Sequence, residues 1–222
     1  MLVKTRGIVL AFYKFRDTSI IAHIYTSHFG RQSFIVKGIR SAKANNKMAL
    51  FQPLSLLEME IYHKDGQEIH QIKEYKTSVV YQSIPFNQNK SAVTIFLAEI
   101  LTKTLKDTHS NEYLLQFLFD SFTEFDLKKT DYQNFHLYFL MNLSAFLGYS
   151  VSNAKEFAVE LPVNLTSREF EILDKLINNE NIVIQNLERR VVLEKIMIWY
   201  KTHFDGLGKI NSLEVLQEVF DF

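Results

Sequence analysis

The 222-residue sequence contains no cysteine, and proline and glycine are scarce, at 3 and 7 residues. Without cysteine the chain can form neither disulfide bonds nor a thiol nucleophile, and zinc sites built on thiolates are excluded. No apolar run approaches the roughly 18 residues of a membrane-spanning helix, and the N-terminus has no small-residue cleavage site. These absences predict a soluble, intracellular protein that does not associate with a membrane.

Acidic residues are missing from one long stretch, because none occurs between Asp17 and Glu58. The gap contains five basic residues, namely Arg31, Lys37, Arg40, Lys43 and Lys47. Up to Tyr81 the chain has 12 basic and 6 acidic residues, whereas the remainder has 13 and 19, so a net charge of zero conceals a basic first part and an acidic second part. A local excess of positive charge attracts polyanions whatever the net charge. The first part is therefore predicted to bind nucleic acid.

Five short runs of alternating apolar and polar residues precede Pro85, separated by turn residues and rich in β-branched and aromatic side chains. They predict strands over residues 3–12, 18–25, 32–37, 54–63 and 68–75. No helical pattern separates them, which favours a small antiparallel barrel or sandwich. Gly30 is expected to supply a positive φ in the turn that precedes the third strand.

After Pro85 the apolar spacing becomes helical. One stripe comprises Val93, Phe96, Leu97, Ile100 and Leu101. Similar stripes recur towards the C-terminus, Thr166 and Glu169 have the spacing of a capping box, and residues 153–165 are predicted to be irregular. We therefore predict an α+β protein with two domains: a β-barrel over residues 1–82 and an all-helical domain over residues 83–222, for protein interaction and structural support.

The segment from Phe34 to Lys47 carries the most specific local signal. It leaves a predicted strand and enters a loop of small and polar residues with a cation every three or four positions, a pattern suited to following a phosphate backbone. The competing interpretation is a solvated surface loop. Aromatic residues interleave with these cations, and most are expected in the core. Tyr13, Tyr25 and Phe29 lie at turns or on polar faces and are the better candidates for stacking on bases.

The sequence gives little support to catalysis. There is no glycine-rich phosphate loop and no zinc-protease histidine pair. His63 and His70 flank a predicted hairpin turn and can face one another, but two histidines are weak evidence for a metal. The chain is therefore expected not to be an enzyme and to need no cofactor or metal.

Several short motifs resemble the RecO family of bacterial DNA repair proteins, in the same order along nearly the whole chain. They are residues 6–10 (RGIVL), 24–31 (IYTSHFGR), 36–40 (VKGIR), 51–54 (FQPL), 146–149 (FLGY) and 206–220 (GLGKINSLEVLQEVF). The resemblance implies an N-terminal OB-fold followed by a helical domain. It further implies a non-enzymatic recombination mediator of the RecF pathway, cytoplasmic and nucleoid-associated.

What the family does defines the expected partners. The resemblance implies binding of single- and double-stranded DNA, annealing of complementary strands, cooperation with RecR, contact with the acidic C-terminal tail of SSB, and help in loading RecA. Its basic residues correspond to Lys37 and Arg40, and to Lys43 and Lys47. Many relatives have a four-cysteine zinc site after the motif ending at Tyr149, which this cysteine-free chain cannot form.

Seven residues are predicted to bind DNA. They are Arg31, Lys37, Arg40, Lys43 and Lys47 for phosphate, and Tyr25 and Phe29 for stacking. Two other functions remain open. The barrel of an adaptor would bind an acidic protein, and an RNA-handling enzyme would use the barrel as a binding arm.

Overall fold

Five of the first six regular elements are strands, in which apolar side chains are interspersed with polar or half-buried ones. The computed structural model describes residues 1–41, 47–106 and 109–220. The strands are β1 (Leu2–Phe15), β2 (Ser19–Thr26), β3 (Gly30–Val36), β4 (Leu56–Tyr62) and β5 (Ile69–Thr77). Each overlaps a predicted strand, and Gly30 has the expected positive φ of 57°.

The strands close into a barrel in the order β1-β2-β3-β5-β4, with β4 returning to pair with β1. All neighbours are antiparallel except β3 and β5, which pair in parallel over Ser33 to Ile35. After the long connection from β3 to β4, the β4–β5 hairpin lies with β5 beside the edge of β3 that does not pair with β2. In this position β5 runs in the same direction as β3. The arrangement is an OB-fold, and it confirms the predicted barrel.

The inside of the barrel is filled by the apolar residues of the alternating pattern. They include Val9, Ile20, Ala22, Ile24, Phe34, Val36, Leu57, Met59 and Ile61, together with Phe51 from a short 3-10 helix, Lys47–Phe51. Gly7 marks the tightest packing, since a Cβ built there would lie 2.6 Å from Cγ2 of Ile24 and 2.9 Å from Cε of Met59. Only glycine lets β1 pass these two side chains without displacing them.

Two compact units divide the chain, Met1–Leu127 and Lys128–Phe222. The first contains the barrel, a 3-10 helix (Ile84–Phe86) and the helices α1 (Gln88–Thr104) and α2 (Glu112–Leu127). The predicted stripe of α1 is fully buried, from Val93 to Leu101. The first unit therefore extends beyond residue 82, because it includes α1 and α2. The predicted division of function at residue 82 stays a prediction.

The second unit consists of helices. They are α3 (Phe135–Phe146), α4 (Ala154–Val159), α5 (Ser167–Ile177), α6 (Asn186–His203) and α7 (Ser212–Phe220). Thr166 and Glu169 form the predicted capping box of α5. The prediction of an irregular segment over residues 153–165 was wrong for α4, which the Asn153 side chain caps and the buried Phe157 anchors. No helix in the described part of the chain is long and apolar enough to span a membrane.

Candidate nucleic-acid interface

One end of the barrel brings basic residues from two separate segments together. Strand pairing places Lys14 opposite Ile20, and Ile20 opposite Val36, so the end of β1 and the end of β3 flank the start of β2. Lys37 follows Val36 directly and is exposed. Lys14 and Lys37 therefore emerge at the same end of the barrel.

Hydrogen bonds join the turn between β1 and β2 to the segment that follows β3. The backbone N–H of Arg40 donates to the carbonyl oxygen of Thr18 at 3.0 Å, and its guanidinium donates to the carbonyl oxygen of Arg16 at 3.1 Å. Arg16 adopts a positive φ of 49° at the tip of the turn. Lys14, Arg16, Lys37 and Arg40, all exposed, thus form one surface, which we call the cationic rim.

The cationic rim differs from Lys73 and Lys76 on β5 because its charges are not neutralised by glutamates. On the β4–β5 side, Lys73 forms an ion pair with Glu60 at 2.7 Å, and Lys76 forms one with Glu58 at 2.9 Å. No described acidic residue forms an ion pair with any member of the cationic rim. Unpaired surface cations keep their counterions and can exchange them for phosphates, whereas paired cations cannot do so without losing a partner.

Arg31 does not join this surface. Its guanidinium donates to the carbonyl oxygens of Thr102 at 2.8 Å and Leu105 at 3.2 Å, at the C-terminal end of α1. Burial lowers the pKa of Arg31, and the nearby Tyr13 offsets this only in part. Arg31 therefore attaches α1 to the barrel, and these two bonds hold its side chain away from the rim.

Tyr25 was predicted to be available for stacking, and this prediction was wrong. Its side chain is only 3% exposed, and its hydroxyl accepts a hydrogen bond from the backbone N–H of Asn111 at 3.1 Å. Asn111, which directly precedes α2, therefore lies next to this part of β2. A ring buried in this way has no face to offer a base.

Phe29 is half-buried, and one face of its ring is already occupied. The ring of His63 stacks on it at a centroid distance of 3.8 Å, and the ring of His70 stacks on His63 at 4.6 Å. Burial and then the charge of His63 lower the pKa of His70. The two histidines thus face one another as expected from their spacing. They flank the turn that joins β4 to β5. Among the described residues no group of three potential ligands could hold a metal ion.

The remaining predicted phosphate contacts differ in how the structure places them. Lys37 and Arg40 belong to the cationic rim. Lys47 is exposed at the start of its 3-10 helix. Lys43 lies outside the described residues.

Lys14 and Arg16 belong to the cationic rim but were not among the residues predicted to bind DNA, although both were counted in the basic first part of the chain. They lie before Asp17, outside the acid-free stretch that drew attention to the others. The available signal was their position at the first hairpin turn, because in OB-folds that turn borders the binding face of the second and third strands.

The segment after Tyr149, where many relatives carry the zinc site, is held by other means. The indole Nε1 of Trp199 donates to the carboxylate of Glu160 at 2.5 Å, and Nε2 of His203 lies 3.0 Å from the same carboxylate. The ring of Tyr149 packs on that of His203 at 4.4 Å. These residues do not fit a four-cysteine metal site, and side-chain packing secures the segment instead.

Two family models match the chain. The model described as "Recombination protein O N terminal" matches residues 1–81, and "Recombination protein O C terminal" matches residues 86–175. Relatives named DNA repair protein RecO are similar along the whole length: the one from Bacteroides fragilis is 35% identical over 100% of both chains, and the one from Azobacteroides pseudotrichonymphae is 33% identical over 100% of both. That from Flavobacterium johnsoniae is 32% identical over 99% of this chain and 100% of its own. Together with the OB-fold and the helices that follow it, these matches show that the chain belongs to the RecO family of DNA repair proteins.

Proposed function

We propose that this protein binds single- and double-stranded DNA through the cationic rim, without sequence preference. The observation that carries the proposal is that the rim's four cations converge from two segments at one end of the barrel and have no ion-pair partner among the described residues, whereas Lys73 and Lys76 on β5 are paired with glutamates. Phosphate contacts of this kind carry no sequence information. Lys47, and Lys43 beyond the described residues, would extend the contact along the loop.

The wider role proposed for the chain follows its relatives. DNA held by its phosphates keeps its bases free to pair, which suits the annealing of complementary strands. We propose that the chain anneals strands and, with RecR, helps to load RecA on SSB-coated DNA without catalysing a reaction itself. The acidic residues from 83 onwards disfavour DNA, which would leave the helical part to bind proteins such as RecR. The acidic tail of SSB would instead have to bind at basic residues.

Replacing Lys37 and Arg40 with alanine tests the DNA-binding role. Binding of single strands and of duplex should both weaken. The slope of log K against log salt should become shallower by up to about 0.7 per lost contact on single strands and about 0.9 on duplex. Fluorescence anisotropy with labelled oligonucleotides over a salt series measures both quantities.

The matched control is Lys73→Ala with Lys76→Ala, which removes the same number of charges from the ion-paired side of the same barrel. Its salt slope should stay at the wild-type value. Equal effects of the two double variants would mean that net charge and not the rim determines binding. Wild-type protein that binds neither form of DNA, and does not anneal SSB-coated strands, would favour an adaptor for an acidic protein.

A further inference from the structure

The outer face of β1, β2 and β3 carries an apolar strip beside the cationic rim. Strand pairing places Tyr13 opposite Ile21, and Ile21 opposite Ile35. These three side chains point away from the barrel, because their neighbours Phe12, Ala22 and Phe34 point into it. Tyr13 is 56% exposed, and both isoleucines are only partly buried. The barrel thus presents an aromatic ring on an apolar floor.

The ring of Tyr13 is supported from one side by His23. The two ring centroids lie 5.5 Å apart with an interplanar angle of 69°, and Nδ1 of His23 is hydrogen-bonded to the hydroxyl of Ser33 at 2.9 Å. Burial and then the charge of Arg31 lower the pKa of His23, so its imidazole is uncharged at neutral pH. An edge-on contact of this kind restricts the tyrosine ring without covering it.

The position of Tyr13 separates it from other exposed aromatic residues. Tyr13 directly precedes Lys14 in the cationic rim, and Ile35 lies two residues before Lys37 on the same strand. Tyr113 is more exposed, at 85%, but it follows Glu112 on α2, whose exposed side also carries Asp120. A base stacks well only where the attached phosphates find cations, and this condition is met at Tyr13.

We propose that Tyr13 stacks on an unpaired base and thereby makes the outer face of β1–β3 a subsite for single strands, separate from the phosphate contacts of the cationic rim. The subsite rests on the proposed DNA binding. In a duplex each base is stacked and paired within the helix, so Tyr13 gains no partner there, while the rim serves both forms. Tyr13 would therefore determine the preference between single strand and duplex.

Tryptophan substitution tests the subsite directly. In Tyr13→Trp, saturating oligo(dT) should quench the emission of the new indole, whereas a blunt-ended, fully paired duplex with the same number of phosphates should leave it unchanged. Trp199 is the only native tryptophan, so the wild-type chain supplies the background signal. The matched control is Tyr113→Trp, whose emission should not respond to either nucleic acid.

Affinity measurements with Tyr13→Ala complete the test. Single-strand affinity should fall roughly 5- to 150-fold, the range expected for the loss of one stacked base, with an unchanged salt slope and unchanged duplex affinity. Equal losses for both forms of DNA, or no quenching of the Tyr13→Trp variant by oligo(dT), would overturn the subsite alone. Failure of the wild-type protein to bind any DNA would instead overturn the proposed function on which the subsite depends.

Discussion

Replacing Asp126 with alanine is expected to lower the free energy of unfolding of the barrel-containing unit by about 3–5 kcal/mol, the cost of removing one partner from a buried charged network. Asp126 lies in the last turn of α2 and is only 4% exposed. Its carboxylate accepts hydrogen bonds from the backbone N–H groups of Gln82, Ser83 and Ile84, at 2.7, 2.8 and 2.8 Å. Those residues lead from β5 into α1. One carboxylate therefore joins the barrel's last strand to both of its helices.

Lys90 completes this network. It is 1% exposed, and its ammonium donates to the hydroxyl of Ser83 at 2.7 Å and to the carbonyl oxygen of Asp126 at 2.9 Å. Burial lowers the pKa of Lys90, and the charge of Asp126 opposes that change. Asp126→Ala would leave the buried N–H group of Ile84 and the part-buried N–H groups of Gln82 and Ser83 without their acceptor, and the ammonium without its counter-charge.

The same network makes the contribution of Asp126 depend on pH. Burial raises the pKa of Asp126, but its hydrogen bonds from three backbone N–H groups and the Ser83 hydroxyl outweigh burial and hold the pKa below its ordinary value of 3.8. The folded state thus releases this proton more readily than the unfolded state. The stabilisation is present above pH 3.8 and is lost as the pH falls through the folded-state pKa.

Amide hydrogen exchange measures the effect of Asp126→Ala separately for each compact unit. Exchange should accelerate in residues 82–84, α1 and α2, while the helices from α3 onwards keep their wild-type rates. Asp120→Ala is the matched control, because Asp120 lies on the exposed side of the same helix and only accepts from Gln116. A loss below about 1 kcal/mol for Asp126→Ala would contradict the role of the network.

Much of this fold could be predicted because it follows from local periodicity. Alternating residues such as Phe34 and Val36 define the inside of the barrel, and the spacing of Val93, Phe96 and Leu97 defines the buried side of α1. The parallel pairing of β3 with β5 could not be predicted in this way, since it depends on which strand the β4–β5 hairpin meets after a long connection. Periodicity determines what a strand buries, and it does not determine which strand lies beside it.

The candidate site shows the same limit. Lys37 and Arg40 follow the end of β3 and are exposed, as expected. Charged side chains at the start of a polar loop have no apolar neighbours in sequence that would draw them into a core. Arg31 and Tyr25 also have polar groups. The end of α1 holds the half-buried side chain of Arg31, however, and Tyr25 is buried with its hydroxyl bonded to Asn111. The contacting residues lie far along the chain from both Arg31 and Tyr25. The sequence around these two residues therefore could not predict the contacts. The acid-free stretch therefore includes Lys37 and Arg40 of the cationic rim but not Lys14 and Arg16, and it also includes Arg31, which lies outside the rim.

The helical unit should lose stability in mildly acidic solution through His136. Its side chain is 1% exposed in α3, and burial, followed by the charge of Arg189, lowers its pKa from 6.5 to about 3. Arg189 is held in place, since its guanidinium donates to Asn134 and Asn186, both at 2.8 Å. The ring of Phe220 lies against both side chains. A backbone hydrogen bond with Gln133 favours the imidazolium, but burial and the charge of Arg189 outweigh it and keep the pKa low.

The direction of the pH effect follows from the two pKa values. Below pH 6.5 the unfolded chain binds a proton at His136, whereas the folded chain does not until the pH approaches 3. The stabilisation is therefore complete above pH 6.5 and declines as the pH falls. At pH 4.5 the loss relative to pH 8 should reach about 3 kcal/mol from this residue, at about 1.4 kcal/mol per pH unit below 6.5.

Urea unfolding followed by the emission of Trp199 measures this loss, because Trp199 lies buried in α6 of the same unit. Between pH 8 and 4.5, His136→Leu should reduce the change of the unfolding free energy with pH by about 3 kcal/mol, whatever the stability of the variant at pH 8. His109→Asn, a change at an exposed histidine of the other unit, controls for the loss of an imidazole as such. A pH profile of His136→Leu that runs parallel to that of the wild type would contradict this prediction. It would mean that the folded protein protonates His136 as readily as the unfolded chain does.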